Sequence, residues 1–423
     1  MYSKEYKDFT PQEKISFKQE AQRRYDEFVA MNLHVDMSRG KPCVEQLDIS
    51  EKMLTVLDDG ANCKSLNGLD CRNYGLLSGI EDCRELFANI LHVNTANVIA
   101  CGNSSLSLMY DFISQCMTHG MGDIPWCKRE HVKFIAVVPG YDRHFAIAQR
   151  FGIELVSVRM TPEGPDMDAV EDIIKDDSVK GMFCVPMYSN PDGVTYSDAT
   201  IERLAKMTPA ARDFRVIWDN AYIIHHLYDD KKDHVRNIFE VAHKYGHEDY
   251  FIEFTSTSKI TFPGSGVAAI AASEANVEAI LKRLSYQTIS YDKLNQLRHV
   301  RVFGNVAGIK KHMIRHADIL RPKFETVLEI FERELGGLGI AHWSKPLGGY
   351  FISMEVTGGS AKKVGHLCSD AGLVLTKVGA TFPYGVDPRD SNIRIAPSYP
   401  SIDELKISAE LLCTAIKLAC CDK

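Results

Sequence analysis

Between Val98 and Ile270, short apolar runs recur at intervals set by amphipathic segments: VIAC at 98–101, FIAVV at 134–138, ELVSV at 154–158, GMFCV at 181–185, RVIWD at 215–219, FIEFT at 251–255 and VAAIA at 267–271. These runs lack strict polar–apolar alternation, so both faces of each strand are predicted to be covered. Their alternation with helical spacing predicts a mostly parallel α/β sheet, with ligands at the carboxyl ends of its strands. Upstream, the spacing from Thr10 to Met31 predicts a helix that starts at Pro11 and is followed by the Gly/Pro loop Ser38-Arg39-Gly40-Lys41-Pro42. Beyond Asp292 one long helical pattern extends to about Leu335, and the tail alternates the strands YFISMEV and NIRIA with helices ending near Ala419. The predicted organisation is a large domain over 47–305 and a smaller α+β domain formed by 306–423 with an N-terminal arm, 1–46.

Composition narrows the function classes. At 423 residues the chain is long enough for two or three structural units, and 45% hydrophobic with 25% charged residues is ordinary globular usage. A net charge of −7 without any Lys/Arg-rich run argues against nucleic acid as a partner. The polar opening MYSKEYKDFTPQEKISFKQE lacks the apolar core of a signal peptide, and no stretch of about 18 apolar residues offers a membrane span. The twelve cysteines form no CxxC pair, so reduced thiols and a cytoplasmic location are expected. Metal chemistry at His225-His226 is not expected, because HExxH and CxxC spacings are missing, and no GxSxG elbow points to a serine hydrolase.

Candidate chemistry collects where apolar runs end. Lys259 follows the run 250–254 within Thr255-Ser256-Thr257-Ser258-Lys259 and precedes Phe262-Pro263-Gly264-Ser265-Gly266. A lysine so placed can offer its amine to a cofactor aldehyde while Ser256 and Ser258 bind a phosphate. Asp219 closes the run 215–219 and is followed by Tyr222; an acid there can pair with a protonated pyridine nitrogen, or simply cap the next helix. Asn190 lies in the turn Ser189-Asn190-Pro191-Asp192-Gly193, where turn chemistry alone also explains the residues. Asn103, Ser104 and Ser105 open the helix after VIAC, either as an anion cup or as an ordinary N-cap. Tyr141, two residues beyond Pro139, can stack on a flat ring.

Taken in order, these stretches carry a family resemblance. SRGKP at 38–42, NYGLLSG at 73–79, SNPDG at 189–193, DNAY at 219–222, TSKITFPGSG at 257–266, KLNQLRHVR at 293–301 and SNIRIAPSYPS at 391–401 resemble the class I, fold-type I aminotransferases that use pyridoxal 5′-phosphate, and within them the type Ic aspartate aminotransferase subgroup. The resemblance implies that Lys259 holds the cofactor as a Schiff base, that Asp219 meets its ring nitrogen, and that Asn190 and Tyr222 meet its ring oxygen. It further implies Ser104, Ser105, Ser256 and Ser258 around the phosphate, Tyr141 on the ring face, Arg394 on the substrate's α-carboxylate with Gly40 beside it, and Tyr74 reaching the neighbouring subunit's cofactor in a homodimer. Amino-acid and keto-acid substrates, L-aspartate with 2-oxoglutarate, follow from the same resemblance. Another aminotransferase specificity, a lyase or decarboxylase on this fold, or, last, a non-catalytic effector-binding module are the other readings. One departure stands out: most relatives place a phosphate-binding arginine about eight residues past the lysine, where this chain has Gly266 and Val267. A dicarboxylate also needs a second cation, for which Arg39, Lys293, Arg298 and Arg301 are the candidates.

Overall fold

The computed structural model describes residues 2, 4–60 and 63–421. In chain order its strands are β1 (Val35–Asp36), β2 (Val98–Ala100), β3 (Lys133–Val138), β4 (Glu154–Thr161), β5 (Gly164–Pro165), β6 (Val179–Cys184), β7 (Arg215–Asp219), β8 (Phe251–Ser256), β9 (Ala268–Ala272), β10 (Ala341–Trp343), β11 (Ile352–Val356), β12 (Leu373–Val374) and β13 (Asn392–Ile395). Every one of the seven apolar runs contributes a strand to a single eight-stranded sheet of order β2-β9-β8-β7-β6-β3-β4-β5. The central pairs β8·β7, β7·β6, β6·β3 and β3·β4 are parallel, whereas β9 runs antiparallel to both of its neighbours. The predicted α/β architecture, with a large and mostly parallel sheet, is what the chain adopts.

Successive residues of one strand enter different clusters. Val216 and Trp218 pack into the core shared with the C-terminal elements, while Ile217 between them joins Phe112, Phe254 and Ile270 on the opposite face. A two-residue period with both faces apolar is the pattern of a strand covered by helices on each side. The first of these cores is continuous: Val216 and Trp218 share it with Ile352, Leu320 and Leu412, so the antiparallel sheet β10-β11-β13 and the helices Val306–Leu335 and Ile402–Cys421 are built onto the central sheet through apolar contact.

Local signals set the element ends. Thr10 and Glu13 form a reciprocal capping box at the start of the helix Pro11–Ala30. The single helix expected from Asp292 to Leu335 is instead two, Lys293–Phe303 and Val306–Leu335. Gly304 takes φ +69°, which ends the first, and Asn305 Oδ1 then caps the second by accepting from the backbone N–H groups of Ala307 and Gly308. The amphipathic spacing continues across the break, which is why periodicity alone does not reveal it.

Four adjacent parallel strands matter for chemistry. β3, β6, β7 and β8 end at the same edge, at Val138, Cys184, Asp219 and Ser256. The segments that follow them carry Tyr141, Asn190, Tyr222 and Lys259, so residues spread over some 120 positions of sequence converge at one place.

Candidate active site

At that edge lies a cavity of about 590 Å³, lined by Gly40, Ser104, Ser105, Tyr141, Asn190, Asp219, Tyr222, Ser256, Ser258, Lys259 and Arg394, with Arg39 at its exposed border. Asn103 and Tyr74 do not line it. The Asn103 carbonyl accepts a hydrogen bond from Ser258 Oγ at 3.2 Å, so Asn103 supports the serine, and Tyr74 is 79% exposed on a separate loop. Of the candidate second cations only Arg39 borders the cavity. Lys293 Nζ instead donates to the carbonyls of Asn73 and Gly75, and Arg301 to that of Lys64. Arg298 also stands outside the lining, whereas Lys41, Arg143 and Lys377 belong to it.

Asp219 is buried at the end of β7, and no helix follows for it to cap. Its Oδ2 accepts from His144 Nε2 at 3.0 Å, while its Oδ1 has no hydrogen-bond partner among the described residues. A buried carboxylate oxygen left unpaired is costly, so this one is set up for a donor that no described residue supplies. His144 stacks on Phe183 with ring centroids 4.8 Å apart and planes at 9°, and meets Tyr141 edge-on at 4.9 Å. Sequence reasoning missed His144: it lies one helical turn after Tyr141, a spacing that hints at a shared face, but its partner is 75 positions away.

Lys259 Nζ lies 5.1 Å from the centre of the Tyr222 ring and 5.8 Å from that of Tyr350. Burial pushes its amine below the usual lysine value; Asp219 opposes this, and Arg394 adds to it. The amine is thereby shifted toward its neutral, nucleophilic form. Burial also pushes the phenols of Tyr222 and Tyr141 upward, the latter to about 12, so both stand as neutral donors.

Arg394, in β13, is held at three points: Nε donates to Thr376 Oγ1 at 3.1 Å, and Nη1 donates to Asp142 Oδ1 at 2.9 Å and to Asn190 Oδ1 at 3.2 Å. Its guanidinium also lies 4.9 Å over the Phe351 ring. Gly40 packs against that ring so closely that a Cβ would fall 2.7 Å from Phe351 Cζ, which explains glycine there. Across the cavity, Ser104 does cap the helix Ser105–Thr118, and Ser256 Oγ donates to Ser258 Oγ at 3.1 Å. Hydroxyls beside a helix N-terminus make a site for a dianion. Val267, at the position of the missing arginine, is buried with its N–H on Thr257 Oγ1. Together these residues fit a group with a ring N–H, a flat aromatic face and a phosphate.

The sequence profile described as aspartate amino-transferase matches residues 9–423. The chain belongs to that aminotransferase family. An aspartate aminotransferase of Corynebacterium glutamicum is 43% identical over 421 residues, which cover 99% of this chain and 97% of that protein. A crystal structure of an aspartate transaminase from the same organism superposes with a TM-score of 0.96 at 42% identity, covering 100% of this chain and 99% of the other. The α-aminoadipate aminotransferase LysN of Thermus thermophilus, solved with N-(5′-phosphopyridoxyl)-L-leucine, shares the fold at TM-score 0.75 and 19% identity, over 94% of this chain and 95% of its own. This aminotransferase thus has the fold-type I architecture. None of its helices, among the described residues, is long and apolar enough to cross a membrane.

Proposed function

We propose that this aminotransferase uses pyridoxal 5′-phosphate anchored on Lys259 to exchange an amino group between L-aspartate and 2-oxoglutarate, the two substrates alternating in one cavity. The observation that carries the reading is the meeting of a neutral-shifted lysine amine, an unpartnered buried carboxylate oxygen and a positioned arginine within one cavity. When bound, pyridoxal phosphate supplies an aldehyde that condenses with amines and a cationic ring that draws the electron pair from the substrate's α-carbon.

The chain's own residues supply the rest. Asp219 Oδ1, unpartnered while Oδ2 is fixed by His144, would accept the ring N–H and keep that proton in place. Tyr222, whose phenol burial keeps neutral, and Asn190 would meet the ring oxygen. Ser104, Ser105, Ser256 and Ser258 would surround the phosphate, with the helix N-terminus at Ser105 providing favourable potential. Arg394 takes the α-carboxylate on Nη1 in place of Asp142, while Thr376 keeps Nε aligned. Lys259 Nζ, shifted toward its neutral form by burial, would be the base that takes the substrate's α-carbon proton and the acid that gives it back.

Residues 47–305 as the cofactor-carrying unit, with 1–46 and 306–423 as the substrate-closing unit, belong to the same proposal, as does a homodimer in which Tyr74 serves the neighbouring site. For the distal carboxylate, Arg39 is the preferred cation because its loop already borders the cavity beside Gly40. The deciding experiment is an absorption spectrum of the purified protein with L-aspartate alone, then with 2-oxoglutarate added. Conversion of the cofactor band by aspartate and its return with the keto acid is the expected result. No change with aspartate removes the substrate assignment, and sustained turnover without any keto acid makes the protein a lyase or decarboxylase.

A further inference from the structure

Outside the cavity, a buried polar chain reaches the backbone of Lys259. Tyr350 Oη donates to the Lys259 carbonyl oxygen at 3.3 Å and accepts from Gln46 Nε2 at 2.9 Å. The same amide nitrogen lies 2.8 Å from His316 Nδ1. His316 Nε2 is 3.1 Å from His312 Nε2, which lies 2.7 Å from the carbonyl oxygen of Ile260. Gln46 and Tyr350 are wholly buried, and His316 and His312 are 1% and 7% exposed. Three distant segments, the short helix Val44–Asp48, the stretch before β11 and the helix Val306–Leu335, thus converge on two consecutive carbonyls.

The direction of these hydrogen bonds can be worked out. Gln46 Oε1 accepts from the backbone N–H of Cys43 at 3.2 Å and from its Sγ at 3.5 Å, so the amide nitrogen is the end that faces His316 and Tyr350. His316 Nδ1 must then accept, which leaves its proton on Nε2. A carbonyl only accepts, so His312 Nε2 carries a proton as well. The two Nε2–H groups therefore face each other without a hydrogen bond between them, and the Ile260 carbonyl accepts from His312 and, at 3.4 Å, from Ser50 Oγ. A further proton on His316 would confront the Gln46 amide, and burial does hold that imidazole down to about 3, with His312 lowered for the same reason. Ser50 Oγ, 3.4 Å from His312 Nε2, and the Phe303 ring close the remaining side.

We propose that Gln46, Tyr350, His312 and His316 are positioning residues that clamp the carbonyls of Lys259 and Ile260 and so fix how the Lys259 side chain enters the cavity. The inference rests on the reading of Lys259 as the cofactor anchor. A backbone held at two successive carbonyls, from elements outside the central sheet, restricts the torsions that swing the amine between cofactor and substrate.

The test uses the holoenzyme and the variants Tyr350→Phe, His312→Leu, His312→Gln and Lys259→Ala. Tyr350→Phe removes one oxygen, and His312→Gln keeps an N–H that can still meet Ile260. Losing a hydrogen bond worth about 0.5–1.5 kcal/mol should move the midpoint of the cofactor band's pH titration by roughly half a unit to one unit in Tyr350→Phe and His312→Leu. The kcat should fall roughly 2- to 10-fold with little change in KM for L-aspartate, and His312→Gln should restore most of both. Lower thermal stability with an unmoved titration and an unmoved kcat would make the network a seal between elements and overturn the clamp. If His312→Leu does not fold, Tyr350→Phe alone decides. Lys259→Ala separates the two ideas: a retained cofactor band there removes the anchor reading, whereas loss of the band beside unaffected Tyr350→Phe and His312→Leu removes only the clamp.

Discussion

Arg394 is held by Thr376, Asp142 and Asn190, and in the proposed function it takes the α-carboxylate that every amino donor shares. Arg394→Ala should therefore cut kcat/KM for all donors by roughly 100-fold or more, as loss of charge-assisted hydrogen bonds implies. Steady-state kinetics with L-aspartate and with a monocarboxylic donor check this, and a defect confined to the dicarboxylate would move the role to another cation. His144 acts through Asp219: His144→Ala leaves Oδ2 as well as Oδ1 without a partner. That costs about 1–3 kcal/mol and should weaken cofactor binding about 10- to 100-fold in a titration of apoenzyme. Glu253 is buried on β8, where it accepts from Asn220 Nδ2, and burial raises its carboxyl to about 7. Because the folded state holds this proton more tightly than the unfolded chain, its contribution to stability is complete below the usual carboxylate range and is lost as pH rises through 7. Glu253→Gln removes the dependence, so the variant should match the parent near pH 4 and exceed it by about 2–3 kcal/mol at pH 8 in urea unfolding. None of these partnerships is visible as spacing. Asp219 and Lys259 stand at strand ends and could be singled out from the pattern alone, but His144, Thr376 and Asn220 meet their partners only through the tertiary fold.

Strand existence was readable because each apolar run is too short and too continuous for anything but a strand covered on both faces, as the split of Val216, Ile217 and Trp218 between two clusters shows. Direction was not: β9 is a short, wholly buried run like the parallel strands, but it returns antiparallel to β8 after the loop Pro263–Gly266. Two-residue strands such as β1 and β12 carry no period at all, and their parallel pairing is a consequence of packing. The break between Lys293–Phe303 and Val306–Leu335 was hidden because the apolar stripe resumes in phase after Asn305. Its cause can be tested. Gly304 sits at φ +69°, and a Cβ there would touch nothing within 4 Å, so Gly304→Ala carries a conformational cost alone. That cost is about 1–2 kcal/mol. Urea unfolding should show the loss while kcat stays near the parent value. A larger loss of activity than of stability would mean that the break itself orients the helix bearing His312 and His316.

At the scale of the whole molecule, Tyr74 stands apart from the cavity of its own chain, 79% exposed, on a loop whose carbonyls at Asn73 and Gly75 are gripped by Lys293. A buried ammonium spent on holding an exposed loop is hard to explain in an isolated chain, and Leu66, Tyr286 and Ile289 are also exposed large apolar side chains in or near the same segments. Both features follow if the loop inserts into a second copy and Tyr74 reaches that copy's phosphate site. A two-fold dimer of this kind has a property that a monomer cannot imitate. Tyr74→Ala and Lys259→Ala should each impair every site of their own homodimer. In a mixed dimer, however, one site combines an intact Lys259 from one chain with an intact Tyr74 from the other. Unfolding is not needed to make such hybrids if subunits exchange, and random exchange of equal amounts yields about half mixed dimers, so about a quarter of all sites regain full function. Activity that rises toward this level on mixing, at a rate matching subunit exchange followed by native mass spectrometry, is the expected result. Activity that stays at the mean of the two variants while mixed dimers form would confine each site to one chain and assign Tyr74 to the surface.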